Sequence, residues 1–229
     1  MSDQNLFWNE DRDEKEAWQV PDRVQDVIFR IECKSIPQEH AHLLAQALNE
    51  ALPWLADEPQ AGIHPLLGAE SGNGWERPDT EILYLSRRQR LTLRLPKTRL
   101  DDVQALVGQT LDIGGHPLKV GDFTTRKLSD LPTLFAKGVI SEPGQSESEF
   151  LQGVAERLKA LDIRIRKMLC GKEGQIAMPD GDLYTRSLMV AELDREESVR
   201  LQEMGIGPGR QYGCGLFLPQ KDIKQVRPG

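Results

Sequence analysis

Four histidines, His40, His42, His64 and His116, are the side chains of this 229-residue chain best suited to move protons at neutral pH. An imidazole titrates in that range, where unperturbed carboxylates, amines and phenols do not. The segment best suited to hold an anion is Gly205-Ile-Gly-Pro-Gly-Arg-Gln-Tyr-Gly-Cys-Gly-Leu-Phe-Leu-Pro219. Gly205, Gly207, Gly209, Gly213 and Gly215 permit positive φ and leave backbone N–H groups bare, so that successive amides converge on a negative group. Arg210 adds a fixed charge, and Tyr212 a face on which a base could stack. The run is neither a P-loop nor a Rossmann fingerprint. Those follow a first strand and open a helix, whereas this one follows a helix and enters a strand. A helix C-cap with a tight bend would also account for it.

The histidines differ in setting. His40 falls in the first turn of a helix expected after Ser35, on one face with Leu43, Leu44 and Ala47. A helix N-terminus disfavours imidazolium and keeps the ring available as a base; a half-buried ring packed under a loop is the plainer reading. His42 lies about 200° further round, with Gln46 and Asn49, as a solvated side chain would. His64 sits in Gly62-Ile-His-Pro65 within a long irregular segment, where function concentrates. His116 occupies a Gly-Gly-His-Pro turn that turn chemistry explains. His40 and His42 diverge on a helix, so no zinc site is expected, and nothing in the sequence calls for a metal or cofactor. No paired-carboxylate or Ser/His/Asp arrangement stands out.

Cations gather in two places. Between Ile82 and Leu100 stand Arg87, Arg88, Arg90, Arg94, Lys97 and Arg99 without one acid. The turn Ser86–Arg90 is the foremost phosphate-contact candidate, although charge runs are commonly just solvated. Arg164 and Arg166 alternate with Ile163 and Ile165 and would project from one sheet face, followed by Lys167. Arg126 and Lys127 could add to them. Few aromatics accompany these bases, which favours recognition of a stem-loop by shape and phosphates over stacking on an open strand.

The elements that must position these groups recur in two passes. Val24–Cys33 reads as a strand, followed by a helix carrying Leu43, Leu44, Ala47, Leu48, Ala51 and Leu52, with Ser35 and Gln38 as a capping box. After the glycine- and proline-rich stretch from Trp54 to about Asp79 come strands at Ile82–Leu85 and Leu91–Leu95. A helix on Leu100, Val103, Leu106 and Val107 and a terminal strand pair over Thr110–Val120 complete a βαββαβ unit. The second pass runs Thr133–Ile140, a helix capped by Ser146 and Glu149, strands Ile163–Leu169 and Leu183–Leu193 around a polar loop Gly171–Gly181, a helix capped by Asp194 and Glu197, and Leu216–Leu218. The expected class is α+β: tandem ferredoxin-like (RRM-like) domains with antiparallel sheets, over 24–128 and 129–229, behind an acidic, tail-like leader over 1–23.

Composition bounds the function. Apolar residues make up 38% of the chain, enough for real cores, and no apolar run is long enough to cross a bilayer, so a cytosolic, membrane-free protein is expected. Cys33, Cys170 and Cys214 are too scattered for a disulfide framework. The net charge of −7 argues against general nucleic-acid binding, but the charge is segregated: seven acids and three bases lie within 1–23. An acidic pI of about 5.2 also keeps open a ferredoxin-like metabolic or regulatory domain whose glycine run is purely structural.

Taken with the doubled pattern, the glycine run resembles the signature of the RAMP superfamily of CRISPR systems. Within it the similarity is to the repeat-processing endoribonucleases, especially the myxan-type branch. Gln38–Leu55, Gly62–Gly68 and Leu83–Pro96 resemble that branch, and the likeness covers most of Val24–Pro219. The resemblance implies a prokaryotic, cytoplasmic enzyme that cuts the repeats of precursor CRISPR RNA without a metal. The RNA's own 2′-OH would attack, leaving a 2′,3′-cyclic phosphate on a product that other subunits of an interference complex could receive. The resemblance also implies a catalytic histidine in the first helix, near the glycine loop, which favours His40; His64 matches a Gly-x-His-Pro feature of the branch and rivals it, and His42 stands behind both. The alternative within the superfamily is a non-catalytic RNA-binding subunit.

Overall fold

The computed structural model describes residues 18–68 and 81–220; most of the acidic leader and the end of the long glycine- and proline-rich segment lie outside the described residues. The first half comprises β1 (Val24–Glu32), β2 (Ser35–Pro37), α1 (Ala41–Ala51), β3 (Gly62–Ile63), β4 (Ile82–Tyr84), β5 (Arg90–Pro96), α2 (Leu100–Val103), β6 (Thr110–Asp112) and β7 (Pro117–Lys127). Its main sheet runs β3-β5-β1-β7-β6, with β1 antiparallel to both neighbours. Val27 and Phe29 of β1 meet Leu91, Leu93 and Leu95 of β5 and Leu44 and Leu48 of α1 in one buried cluster. The second half comprises β8 (Leu134–Ile140), α3 (Glu147–Ala160), β9 (Lys167–Ile176), β10 (Leu183–Ala191), α4 (Arg195–Met204) and β11 (Phe217–Pro219). Its sheet order, β11-β8-β10-β9, places the first strand between the third and the last, as a ferredoxin-like unit requires. Two of the three expected capping boxes form in full, Ser146 with Glu149 and Asp194 with Glu197. A second cluster, including Ala136, Phe150, Val154, Leu188 and Phe217, fills this half. No helix among the described residues is long and apolar enough to cross a membrane.

Several elements differ from expectation. Ser35 caps no helix: it opens β2, which pairs with β4 as a separate ribbon. The strand expected at Ile82–Leu85 is therefore outside the main sheet, and the edge beside β5 is the two-residue β3. So short a strand carries no periodicity. Gly62 lets it approach the second half, since a Cβ there would lie 2.5 Å from the Leu216 side chain. The second helix is a single α-turn flanked by 3₁₀ turns. β9 begins only at Lys167, which places Arg164 and Arg166 before the strand rather than on a sheet face. Most of the expected Gly171–Gly181 loop is strand, since β9 continues to Ile176.

One side chain joins the halves. Arg94, on β5, is 0% exposed. Its Nε donates to Asp26 Oδ1 at 2.8 Å and its Nη2 to Oδ2 at 3.3 Å, while Nη1 donates to the carbonyls of Gln202 at 3.1 Å and Phe217 at 2.9 Å. Its donors are spent inside the protein, so Arg94 is no phosphate contact, contrary to the sequence reading. Around it, Gln202 Nε2 donates to the Ser129 carbonyl at 2.5 Å, and Arg23 pairs with the buried Glu203 at 2.7 Å. Removing one partner of a buried ion pair strands the other. Arg94→Met is expected to lower the unfolding free energy by about 3–5 kcal/mol, toward the lower value because Arg126 also reaches Asp26 at 3.1 Å. Denaturant melts measure this; a loss under about 1 kcal/mol would mean that the seam does not depend on the clamp.

Candidate active site and nucleic-acid interface

The glycine run leaves α4 at Gly205 and returns to the sheet at β11. Gly205, Gly207, Gly209, Gly213 and Gly215 all have positive φ, between 64° and 84°. Gly215 has no alternative, since a Cβ there would sit 2.2 Å from the Ile206 carbonyl oxygen. The amides of Gly213 and Cys214 are used within the loop, and that of Gly215 donates to the Gly138 carbonyl at 2.8 Å. Gly207, Gly209, Arg210 and Gln211 line a cleft of about 250 Å³ whose other wall is Leu55–Ile63. This is the place where unspent amides could meet an anion.

Arg210 does not point into that role. Its Nε donates to the Ala61 carbonyl and its Nη2 to the Gln60 carbonyl, each at 3.0 Å, which straps the glycine loop to the segment before β3. Enclosure lowers its pKa to about 10, with the charge of Arg94 adding to the effect. Tyr212 packs against the N-terminal core, its ring 6.3 Å from that of His42. His42 therefore faces the glycine loop, where helical phase alone had suggested solvent, and its Nδ1 is buried without a partner.

His40 is the N-cap residue of α1, one step before the first turn, and is 7% exposed. Its Nδ1 lies 3.1 Å from the Pro37 carbonyl and 3.2 Å from that of Gln38. These acceptors fix the proton on Nδ1 and leave the lone pair on Nε2, which is buried and unpartnered. Desolvation holds the imidazole pKa below its usual value; the two carbonyls oppose the shift and the charge of Lys137 reinforces it. The ring is thus neutral, with one basic nitrogen available.

His64 has a different employment. It is 8% exposed and its Nε2 lies 3.4 Å from Asp26 Oδ1, without the alignment of a hydrogen bond. Burial would raise the Asp26 carboxyl, but His64 and Arg94 outweigh it and keep the group ionised well below the usual carboxylate range. His64 belongs to the seam, with Asp26 beside its second ring nitrogen. His116 Nδ1 is 3.2 Å from the Ser35 hydroxyl, a turn contact.

Among the cations, Arg87 and Arg88 are exposed at the β4–β5 turn, where Arg90 donates back to the Arg87 and Gln89 carbonyls. Arg164 and Lys167 are exposed, whereas Arg166 is tied to Glu197 at 2.5 Å. Arg126 is largely exposed but pairs with Asp26. Sequence reasoning missed Asp26, whose only signal was a carboxylate at a buried phase of an apolar strand. Among the described residues, no three His, Cys, Asp or Glu side chains are grouped to hold a metal ion.

Two ferredoxin-like units strapped together across a glycine-rich loop define a protein of RAMP architecture, and comparison with known proteins bears this out. A solved structure described as a CRISPR-associated Cas6 protein superposes with a TM-score of 0.61 at 10% identity, over 86% of this chain and 100% of the other. A Cas6-related protein from Pyrococcus furiosus gives 0.55 at 11% identity, over 88% and 99%. At such identities these matches speak for the fold. In sequence, the profile of the Cas6 CRISPR family matches residues 25–222. A Myxococcus xanthus protein named CRISPR-associated endonuclease Cas6 is 30% identical over 202 residues, 88% of this chain and 84% of that one. The chain belongs to the Cas6 family.

The two buried imidazoles set a pH dependence. Both His40 and His64 have folded pKa values below 6.5, with desolvation the largest cause. The unfolded chain therefore binds more protons than the folded one below about pH 6.5, and stability falls with pH from there toward the folded values. Unfolding midpoints taken between about pH 7.5 and 5 should fall with acidification, and His64→Asn should flatten part of that slope. A profile equally steep in the variant would show that His64 is not held neutral by the fold.

Proposed function

We propose that this chain is an endoribonuclease that cuts the repeats of precursor CRISPR RNA, using the substrate's own 2′-hydroxyl and no metal ion. Membership of the Cas6 family supports the class, as does the endonuclease named in Myxococcus xanthus. The observation that carries the mechanism is His40: a neutral ring with Nδ1 bound to two carbonyls and Nε2 buried without a donor. An unpaired buried nitrogen is costly, and a 2′-hydroxyl entering beside it would supply the missing hydrogen bond. In the reaction, that hydroxyl gives its proton to Nε2 as its oxygen bonds to phosphorus. The P–O5′ bond breaks with its electron pair on the 5′-oxygen, which takes a proton from solvent. This leaves a 2′,3′-cyclic phosphate and a 5′-hydroxyl, and the imidazolium then returns its proton to solvent. The amides of Gly207, Gly209, Arg210 and Gln211, residues that line the cleft, would offset phosphorane charge. His42, in ring contact with Tyr212, is the second candidate for a proton-transfer role.

The substrate is a repeat stem-loop held by phosphate contacts, with Arg87 and Arg88 at its edge and Arg164 and Lys167 on the other half. Such an enzyme would act alone or hand its product to other subunits of an interference complex. A solved RAMP protein described as binding different RNA substrates shares the fold, with a TM-score of 0.54 at 13% identity. A purely RNA-binding subunit would share all of this, and only cleavage separates the two.

Purified protein should cut a cognate repeat RNA in EDTA, and a 2′-deoxy substitution at the scissile nucleotide should abolish the cut. Cleavage of the deoxy substrate would exclude the mechanism. His40→Ala should slow cleavage by roughly 100-fold or more while leaving RNA affinity intact; a normal His40→Ala beside an inactive His42→Ala would move the base to His42. Replacing Arg87 and Arg88 together by Ala should weaken binding and reduce the slope of log affinity against log salt by about 2. An unchanged slope would remove that turn from the interface.

A further inference from the structure

The β2–β4 ribbon is an addition that neither ferredoxin-like sheet requires, since it pairs with no strand of either. Its two faces differ. Ile36 and Leu83, paired across it, point into the N-terminal core. Ser35 pairs with Tyr84 and Pro37 with Ile82, and strand alternation puts these four on the outer face. Tyr84 is 64% exposed, the most exposed aromatic side chain among the described residues, and Ile82 beside it is exposed as well. A rim closes the β2 side of this shelf. It consists of the His116 ring, whose Nδ1 is 3.2 Å from the Ser35 hydroxyl, and of Gly114, where a Cβ would lie 3.2 Å from Pro37 Cγ. Three residues beyond Tyr84 comes the exposed pair Arg87 and Arg88, in a turn closed by the Gln89 amide on the Ser86 carbonyl at 2.9 Å. An open π-face thus stands next to two solvent-facing guanidinium groups.

We infer that this shelf is a subsite for one unpaired nucleotide in a strand flanking the repeat stem: Tyr84 stacks on its base while Arg87 and Arg88 hold the phosphates beside it. The inference deepens the RNA-binding reading proposed above and rests on it. A nucleotide offers a π-face to the ring and carries its negative charge close by, so one ligand answers both features. A protein partner fits less well. The ribbon is three residues long in each strand, about 10 Å, far short of the surface that a specific protein interface buries. A paired base hides its faces within the helical stack, so the nucleotide lies outside the stem. Stacking reads no base edge, so the shelf accepts any base.

The test measures the affinity of wild type, Tyr84→Ala and Tyr84→Phe for a repeat RNA with both single-stranded flanks and for its bare stem-loop, each 2′-deoxy at the scissile nucleotide so that binding is read apart from cutting. Tyr84→Ala should bind the flanked RNA roughly 10-fold or more weakly and the bare stem-loop as wild type does. Tyr84→Phe, which keeps the ring, should match wild type on both. Removing bases one at a time along the flanks should reveal one position where wild type loses the same factor and Tyr84→Ala loses nothing further. Exchanging that base for another should cost little. Full affinity of Tyr84→Ala for the flanked RNA, an equal loss on the bare stem-loop, or the lack of a coupled position would each overturn the inference. So would a lowered unfolding midpoint in Tyr84→Ala with RNA affinity intact, since protein rather than RNA would then cover the ring. Wild type that shows the coupled position yet does not cut the all-ribose repeat would uphold the subsite and overturn the endoribonuclease reading. Wild type that binds no repeat RNA would overturn both.

Discussion

The Arg94 guanidinium, shut away between one carboxylate and two carbonyls, sets the constraint under which the rest of the molecule is arranged. Two charges removed from water cost several kcal/mol each, and mutual attraction offsets this only when geometry is good and spare donors are satisfied. Both conditions hold: Asp26 takes two donors from the first half, and the Gln202 and Phe217 carbonyls of the second take the remaining nitrogen. The halves cannot separate without leaving a buried charge unpaired. Because those carbonyls bracket the end of α4 and the start of β11, the clamp fixes both ends of the glycine run. Arg210 then fixes its middle, against the carbonyls of Gln60 and Ala61.

The same economy explains how an acidic protein can address RNA. Many of its arginines are spent internally: Arg23 on Glu203, Arg99 on Glu58 and Asp102, Arg166 on Glu197, Arg186 on Glu173. Arg99 also stacks over Trp54, 4.8 Å from its ring centre, and so braces the wall opposite the glycine loop. Arg87 and Arg88 on one half and Arg164 and Lys167 on the other stand exposed, among further surface cations that include Arg30, Lys34, Lys119 and Lys172. A few phosphate contacts give modest non-specific affinity, since each neutralised phosphate contributes its own share of counterion release. With a net charge of −7 repelling nucleic acid elsewhere, the proposed binding would depend on an RNA whose shape brings phosphates to exposed cations.

Local signals were legible in the sequence, and long-range ones were not. The helices capped by Ser146 and Asp194, the alternation of β8 and the glycine run between α4 and β11 could be placed because each is encoded within a few residues. β3 could not, since two residues have no period and Gly62 matters only through its contact with Leu216. The arginines show the limit most clearly. Arg87, Arg88 and Arg94 look alike within one acid-free run, yet a turn exposes the first two and β5 carries the third into the seam. Nothing nearby in sequence announces Asp26 as its partner, 68 positions away.

The histidines make the same point in chemical terms. His40 and His64 are both nearly buried, both depressed in pKa by desolvation, and both plausible bases by residue type. What separates them is the company of the second ring nitrogen. For His64, Nε2 faces a carboxylate already claimed by two arginines, so proton capture there would disturb the charge balance that joins the halves. For His40, two backbone carbonyls hold Nδ1 and Nε2 has no hydrogen-bond partner, so a proton can arrive and leave without breaking an ion pair. A base must be reversible in use. On that ground we assign the proposed chemistry to the capping imidazole rather than to the one beside Asp26.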